Sequence, residues 1–154
     1  KNIDVVGGIF YETMLELRRC AGLELSREPF CCAVSIHHRL AEKDRLRPED
    51  LYGENLMLMR RDWSHYVDRL RDDIWQNHSR IHIVDFDFYS MEAFNRCENS
   101  NDVLLAIPGW ASVHPLLKVI PVDWEHSIPF GLLHAPQPSG IVKQFLEAVK
   151  AAVQ

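Results

Sequence analysis

Apolar residues along this chain alternate between unbroken runs and helical stripes. Residues 30–36 (FCCAVSI), bounded by Pro29 and His37-His38, and residues 55–59 (NLMLM) are almost wholly apolar, which predicts strands covered on both faces. Residues 80–86 (RIHIVDF), 103–107 (VLLAI, closed by Pro108-Gly109), 116–122 and 128–133 read as further strands. At the front, residues 3–6 (IDVV) predict a short strand closed by Gly7-Gly8, a pair that permits positive φ and close backbone approach. Residues 11–19 are ambiguous, with a short helix as one reading. Residues 47–51 (RPEDL) resemble one helical turn with proline in its first positions.

Three stretches carry helical spacing. Ser64 can cap a helix over 64–77, with Tyr66, Val67, Leu70 and Ile74 on one stripe and Asp68, Arg69, Arg71, Asp72 and Asp73 largely outside it. A second begins at Asp87 or Ser90, with Met91, Ala93, Phe94 and Cys97 facing inward. A third is capped by Ser139, and its stripe is Ile141, Val142, Phe145, Leu146 and Val149. Trp75, Phe94 and Phe145 read as core aromatics. The middle of the chain therefore alternates strand and helix, the pattern of right-handed βαβ units and a parallel sheet with helices on its faces.

Composition narrows the function. The 154 residues are 47% hydrophobic and 25% charged, an ordinary globular mix of single-domain length. No run approaches the ~20 apolar residues of a membrane helix. The net charge of -5 opposes the basic balance of a surface that grips phosphates, so this stretch is not expected to touch nucleic acid itself. Cys20, Cys31, Cys32 and Cys97 show no CxxC spacing, which argues against zinc; free cysteines in an apolar strand predict a reducing, cytoplasmic compartment. The chain starts at Lys1 with no signal peptide and opens almost directly into a strand, which reads as the middle of a longer protein.

The chemistry on offer is that of binding. Neither GxGxxG nor a P-loop is present, and no GxSxG elbow. Cys31 and Cys32 precede His37 and His38, but the plain reading is core cysteines and histidines at a strand exit. His78, His82, Asp85 and Asp87 lie within ten residues, yet strand alternation points His82 away from both aspartates. Asp85-Phe86-Asp87 does end a strand, and ligands of open α/β sheets sit beyond strand C-termini. Arg60-Arg61-Asp62-Trp63 follows another strand and precedes a helix, which suits a small anion; the plain alternative is a turn of solvated charges, with Asp62 pairing one arginine. Phe86, Phe88 and Tyr89 either line an apolar pocket or belong to the core.

The order of these elements and several short strings resemble the effector-binding domain of LysR-type transcriptional regulators. Residues 29–41 (PFCCAVSIHHRLA) run a strand into His38-Arg39-Leu40-Ala41, which is similar to the family's HPLA-like turn with Arg39 in place of proline. Residues 46–58 (LRPEDLYGENLML) match the following DL turn and buried strand, and 102–108 (DVLLAIP) the strand ending in proline, with Asn99, Asn101 and Asp102 where a Gly-x-Gly is usual. The resemblance implies an α/β, two-lobed periplasmic-binding-protein-like fold with mostly parallel sheets, its N-terminal strand and helix missing. It implies a discontinuous first subdomain, 1–29 plus 121–154, and a second, 30–120. A small effector, an acid being one option, is then expected in the cleft between lobes, with Gly7 and Gly8 on one wall and Arg60, Asp62, Trp63, Phe86, Asp87 and Phe88 on the other.

By the same resemblance the chain is no enzyme and needs no cofactor or metal. It associates as a homodimer or tetramer, stays off the membrane, and meets DNA only through an absent N-terminal helix-turn-helix. The alternatives are a solute-binding protein of a transport system, which shares the two-lobed physics, and a small metal-dependent α/β enzyme built on Asp85 and Asp87.

Overall fold

The computed structural model of the chain describes residues 5–87 and 89–153. Ile3 and Asp4 of the expected first strand, and Phe88 of the expected site, lie outside the described residues. In chain order the elements are β1 (Val5–Ile9), α1 (Glu12–Arg18), β2 (Ala21–Pro29), β3 (Cys31–Ser35), β4 (Asn55–Met59), α2 (His65–Asn77), β5 (His82–Phe86), α3 (Met91–Glu98), β6 (Val103–Ala106), β7 (Leu117–Pro121), β8 (Ser127–His134) and α4 (Gly140–Ala152). The chain divides into two compact units, one of residues up to Glu28 and from Ile128 on, the other Pro29–Ser127.

The larger unit is a five-stranded sheet of order β5-β4-β6-β3-β7. Its inner strands are the unbroken apolar runs: every residue of β3 and β6 is buried, and all of β4 after Asn55. Such runs need cover on both faces. On one face Cys97 of α3 donates its Sγ–H to the Ala33 carbonyl at 3.3 Å, over a core of Ala33, Met57, Leu104 and Ala106. α2 is capped where the sequence predicts, by the Ser64 hydroxyl accepting from the Val67 N–H at 3.4 Å, and it buries Val67, Leu70 and Ile74.

The expectation of mostly parallel sheets holds only for β5-β4-β6; β3 runs antiparallel to both β6 and β7. The reason is connectivity, since β3 brings the chain into this unit and β7 begins its way out. The segment after β7 stays with the larger unit. The Asp123 N–H bonds to the Leu46 carbonyl (2.8 Å), Trp124 Nε1 donates to the Phe30 carbonyl (2.8 Å), and His126 pairs with Asp73 of α2 (2.8 Å).

The turn after β3 is built on buried His38. Its Nδ1 accepts from the Leu40 N–H (3.0 Å), so Nε2 carries the proton, directed at Glu54 (2.8 Å) and the Asn101 carbonyl (3.0 Å). Arg39, standing where the resemblance expects proline, pairs with Glu54 at 2.7 Å and donates to the Asp50 carbonyl. The turn before β6 needs no left-handed residue, for Asn99 has φ -91.

The smaller unit is a three-stranded sheet, β1-β8-β2. Gly7 and Gly8 do not close the first strand but lie inside it, opposite Leu132 and Gly131 of β8. β2, nine residues long, was not expected from the sequence. It is mostly half-buried with Glu24, Arg27 and Glu28 along it, so no apolar run announces it. Four residues assigned to helix interiors are exposed: Trp75 (77%), Met91, Ile141 (82%) and Phe145. In α4 the reason is two adjacent apolar rows, of which only Val142 and Leu146 are covered.

Candidate functional site

β4 and β5 are parallel neighbours, and their C-terminal ends bring two separate sequence signals together. The Arg60 N–H bonds to the Phe86 carbonyl at 2.9 Å, carrying the ladder one residue past β4. Arg60 Nε then lies 3.3 Å from Asp87 Oδ1, and its guanidinium carbon sits 4.9 Å from the centre of the Trp63 ring. A cation over an aromatic face is held there by the ring quadrupole. The Arg60 side chain remains 52% exposed and that of Asp87 71%. One guanidinium is thus fixed on two sides and open on the rest, with most of its five donors uncommitted.

The turn that places it is strained. Asp62 has φ 77, a left-handed conformation that aspartate tolerates better than most residues. Its N–H donates to Asp68 Oδ2 of α2 at 3.1 Å, which ties the turn to the helix it precedes. Arg61, expected to join Arg60 against an anion, instead turns to Asp72 of α2 at 2.7 Å, and that hydrogen bond holds its guanidinium more firmly protonated. Arg60 thus meets Asp87, and Arg61 meets Asp72.

Arg71 is the residue that sequence reading missed. Its side chain is only 11% exposed, pairs with Asp85 at 2.8 Å and donates to the Met59 carbonyl at 2.7 Å, bracing the ends of both strands from beneath. The signal was its spacing, because Arg71 falls four residues after Val67 and three before Ile74, on the flank of the apolar stripe. An arginine there needs partners within reach, which the Asp85 carboxylate and the Met59 carbonyl supply.

Phe86 serves the site through its backbone. Its ring packs edge-on against Tyr89 at 4.8 Å, in a cluster with Trp110 and Phe94, and the Tyr89 hydroxyl donates to the Leu105 carbonyl. Beside it a groove of about 300 Å³ runs between β5 and α3, lined by Met57, Phe86, Asp87, Ser90, Glu92 and Arg96. Its carboxylates outnumber its one arginine, which is already paired with Asp102 at 3.3 Å. Gly7 and Gly8, the remaining expected site residues, belong to the smaller unit.

Several residues of the nucleophile and metal readings are otherwise engaged. Burial pushes the Cys97 thiol up to about 12 and raises that of Cys32 as well, so neither is a thiolate at neutral pH. His38 is bonded to Glu54, His78 to the Tyr52 hydroxyl (2.8 Å), Asp85 to Arg71 and Asp87 to Arg60.

A family model described as the LysR substrate binding domain matches residues 5–154. No curated protein matches the sequence. Among solved structures, the chain is similar to CbnR, a LysR family transcriptional regulator, at TM-score 0.71 and 15% identity, covering 99% of this chain and 53% of that one. It is similar to the effector binding domain of QuiR in complex with shikimate, at TM-score 0.69 and 14% identity over 97% of this chain and 71% of that one. The regulatory domain of Synechocystis PCC6803 CcmR in complex with 2-PG gives TM-score 0.62 and 15% identity over 97% and 72%. The chain therefore spans about half the length of the CbnR chain.

Proposed function

The chain belongs to the LysR substrate binding domain family, and from that premise we propose that it is the ligand-sensing domain of a transcriptional regulator, taking a small acidic effector at the strand ends around Arg60. The observation that carries this reading is the Arg60 guanidinium, half-exposed and oriented by Trp63 and Asp87 beyond two parallel strands. A ligand carboxylate competes with Asp87 for it. A bidentate carboxylate has the advantage over the single 3.3 Å contact, because two parallel N–H···O bonds are both stronger and geometrically selective. Trp63 offers the ring face on which an apolar portion of the ligand rests. The role is binding without turnover, and neither a cofactor nor a metal has a part in it.

Effector binding acts by favouring one arrangement of the protein over another, which requires a difference in affinity between the two. DNA contact is assigned to a part of the polypeptide outside these residues, in keeping with the net charge of -5. Self-association as a dimer or tetramer and a cytoplasmic location belong to the same proposal. Among the described residues no helix is long and apolar enough to cross a membrane.

The test is a thermal-shift and calorimetric series with shikimate, benzoate, 2-PG and other small carboxylic acids, on the native chain and on Arg60→Ala. One acid is expected to raise the melting temperature in proportion to the logarithm of its concentration. Loss of a charge-assisted hydrogen bond of about 1.5–3 kcal/mol then predicts roughly ten- to a hundredfold weaker binding for the variant. Equal affinity in a folded Arg60→Ala protein removes Arg60 from the site.

A further inference from the structure

The smaller unit has an open groove of its own, about 300 Å³, where β1, the end of α1 and the end of β8 come together. Val6 and Leu133, cross-strand partners, give it an apolar side. Arg18, Arg19 and His134 give it a basic one, and none of the described residues lining it is a carboxylate.

The two arginines are placed by an unusual chain reversal. Arg19 has φ 50, and the N–H groups of Arg19 and Cys20 bond back to the carbonyls of Glu16 (3.2 Å) and Leu15 (3.0 Å). This is the helix-ending turn that ordinarily carries glycine at the left-handed position. Arginine here is held against its own backbone preference. Neither Arg18 nor Arg19 forms an ion pair with a described carboxylate, whereas Arg60, Arg61 and Arg71 each have one. The Ala135 carbonyl accepts from His134 Nδ1 at 2.7 Å, which fixes that ring at the rim. The last wall residue is Cys20, half-buried and unpaired in any disulfide.

We propose that this groove binds the phosphate group of a small molecule, as a second ligand site in a different unit from Arg60. Two arginines that line one site and form no ion pair with a described carboxylate supply the charge and the forked N–H donors that a phosphate dianion takes. Among the described residues no lining carboxylate competes for them, in contrast to the strand-end site. The volume and the Val6–Leu133 side leave room for a small organic portion besides the phosphate.

Cys20 supplies the readout. Iodoacetamide is uncharged, and the buried Cys31, Cys32 and Cys97 report any unfolding in the same experiment. The native chain is titrated with inorganic phosphate and, separately, glycerol 3-phosphate, against chloride at equal ionic strength. Alkylation of Cys20 is expected to slow about fivefold at about four times the dissociation constant, where roughly 80% of sites are filled. Protection by phosphate itself identifies the free ion as sufficient, and protection by the ester alone identifies a phosphorylated molecule; either supports the site. Arg18→Ala with Arg19→Gly, the latter relieving the left-handed strain, is expected to abolish protection while the fold persists. Arg60→Ala is expected to keep it. The proposal is overturned if neither compound protects Cys20, if protection survives the double variant, or if it is lost in Arg60→Ala.

Discussion

Gly8 and Gly131 face each other across β1 and β8, yet only one of them is obliged to be glycine. A Cβ on Gly131 would stand 1.9 Å from the Leu23 carbonyl oxygen and 2.9 Å from the Leu25 nitrogen, both backbone atoms of β2 that cannot rotate away. A Cβ on Gly8 meets nothing within 4 Å. Gly131→Ala is therefore expected to cost about 1–3 kcal/mol or more in a urea melt, with Gly8→Ala within about 0.5 kcal/mol of the parent. A Gly131→Ala protein as stable as the parent would mean that β2 yields more easily than a paired strand should. Single residues were partly legible in the sequence. Arg60, Trp63 and Asp87 stand together because each lies just beyond a strand that its apolar run defines. The Arg61–Asp72 contact is not legible in the sequence, because Asp72 is eleven positions away along the chain and becomes a neighbour only when α2 folds back.

Elements show the same division. β3, β4, β6 and α2 follow from their own residues, since an unbroken apolar run or a capped stripe has one economical way to be buried. β2 did not follow, because a half-buried strand with charges along it owes its pairing to β8 rather than to its own pattern. α2 also receives the chain on its way out of the larger unit, through the Asp73–His126 bond. That bond, helped by Asn77, holds the Asp73 carboxyl below its usual range. A depressed carboxylate favours the folded state wherever it is ionised. Its contribution is complete above the unfolded value of about 3.9 and fades as the pH falls through the lower folded value. The side chain is 34% exposed, so solvent limits the effect to less than about 1 kcal/mol. Asp73→Asn should accordingly lower the urea midpoint slightly at pH 6, with a deficit that shrinks as the pH falls through the lowered folded value of Asp73. A deficit that persists undiminished at pH 2 would assign the cost to lost shape rather than lost charge.

Across the whole molecule the two units differ in how much they bury. The larger holds the continuous core of β3, β4 and β6, whereas α1 of the smaller has no buried residue and α4 covers only Val142 and Leu146. Hydrogen exchange is therefore expected to be slowest at the β3, β4 and β6 amides and fastest, among regular elements, at α1. Comparable protection of α1 and β4 would contradict this ranking. The sequence by itself determined the α/β class, most strands, the helix caps at Ser64 and Ser139, and the resemblance that the family model bears out, while the structure chose Ser90 over Asp87 as the cap of α3. Those properties are local, because burial periodicity and capping act within a few residues of the chain. Only the tertiary structure decided which apolar rows of α2 and α4 are covered, which aspartate each site arginine meets, and that Arg71 braces two strand ends. Those outcomes depend on partners eleven or more positions away, which neither helical nor strand periodicity brings onto one face.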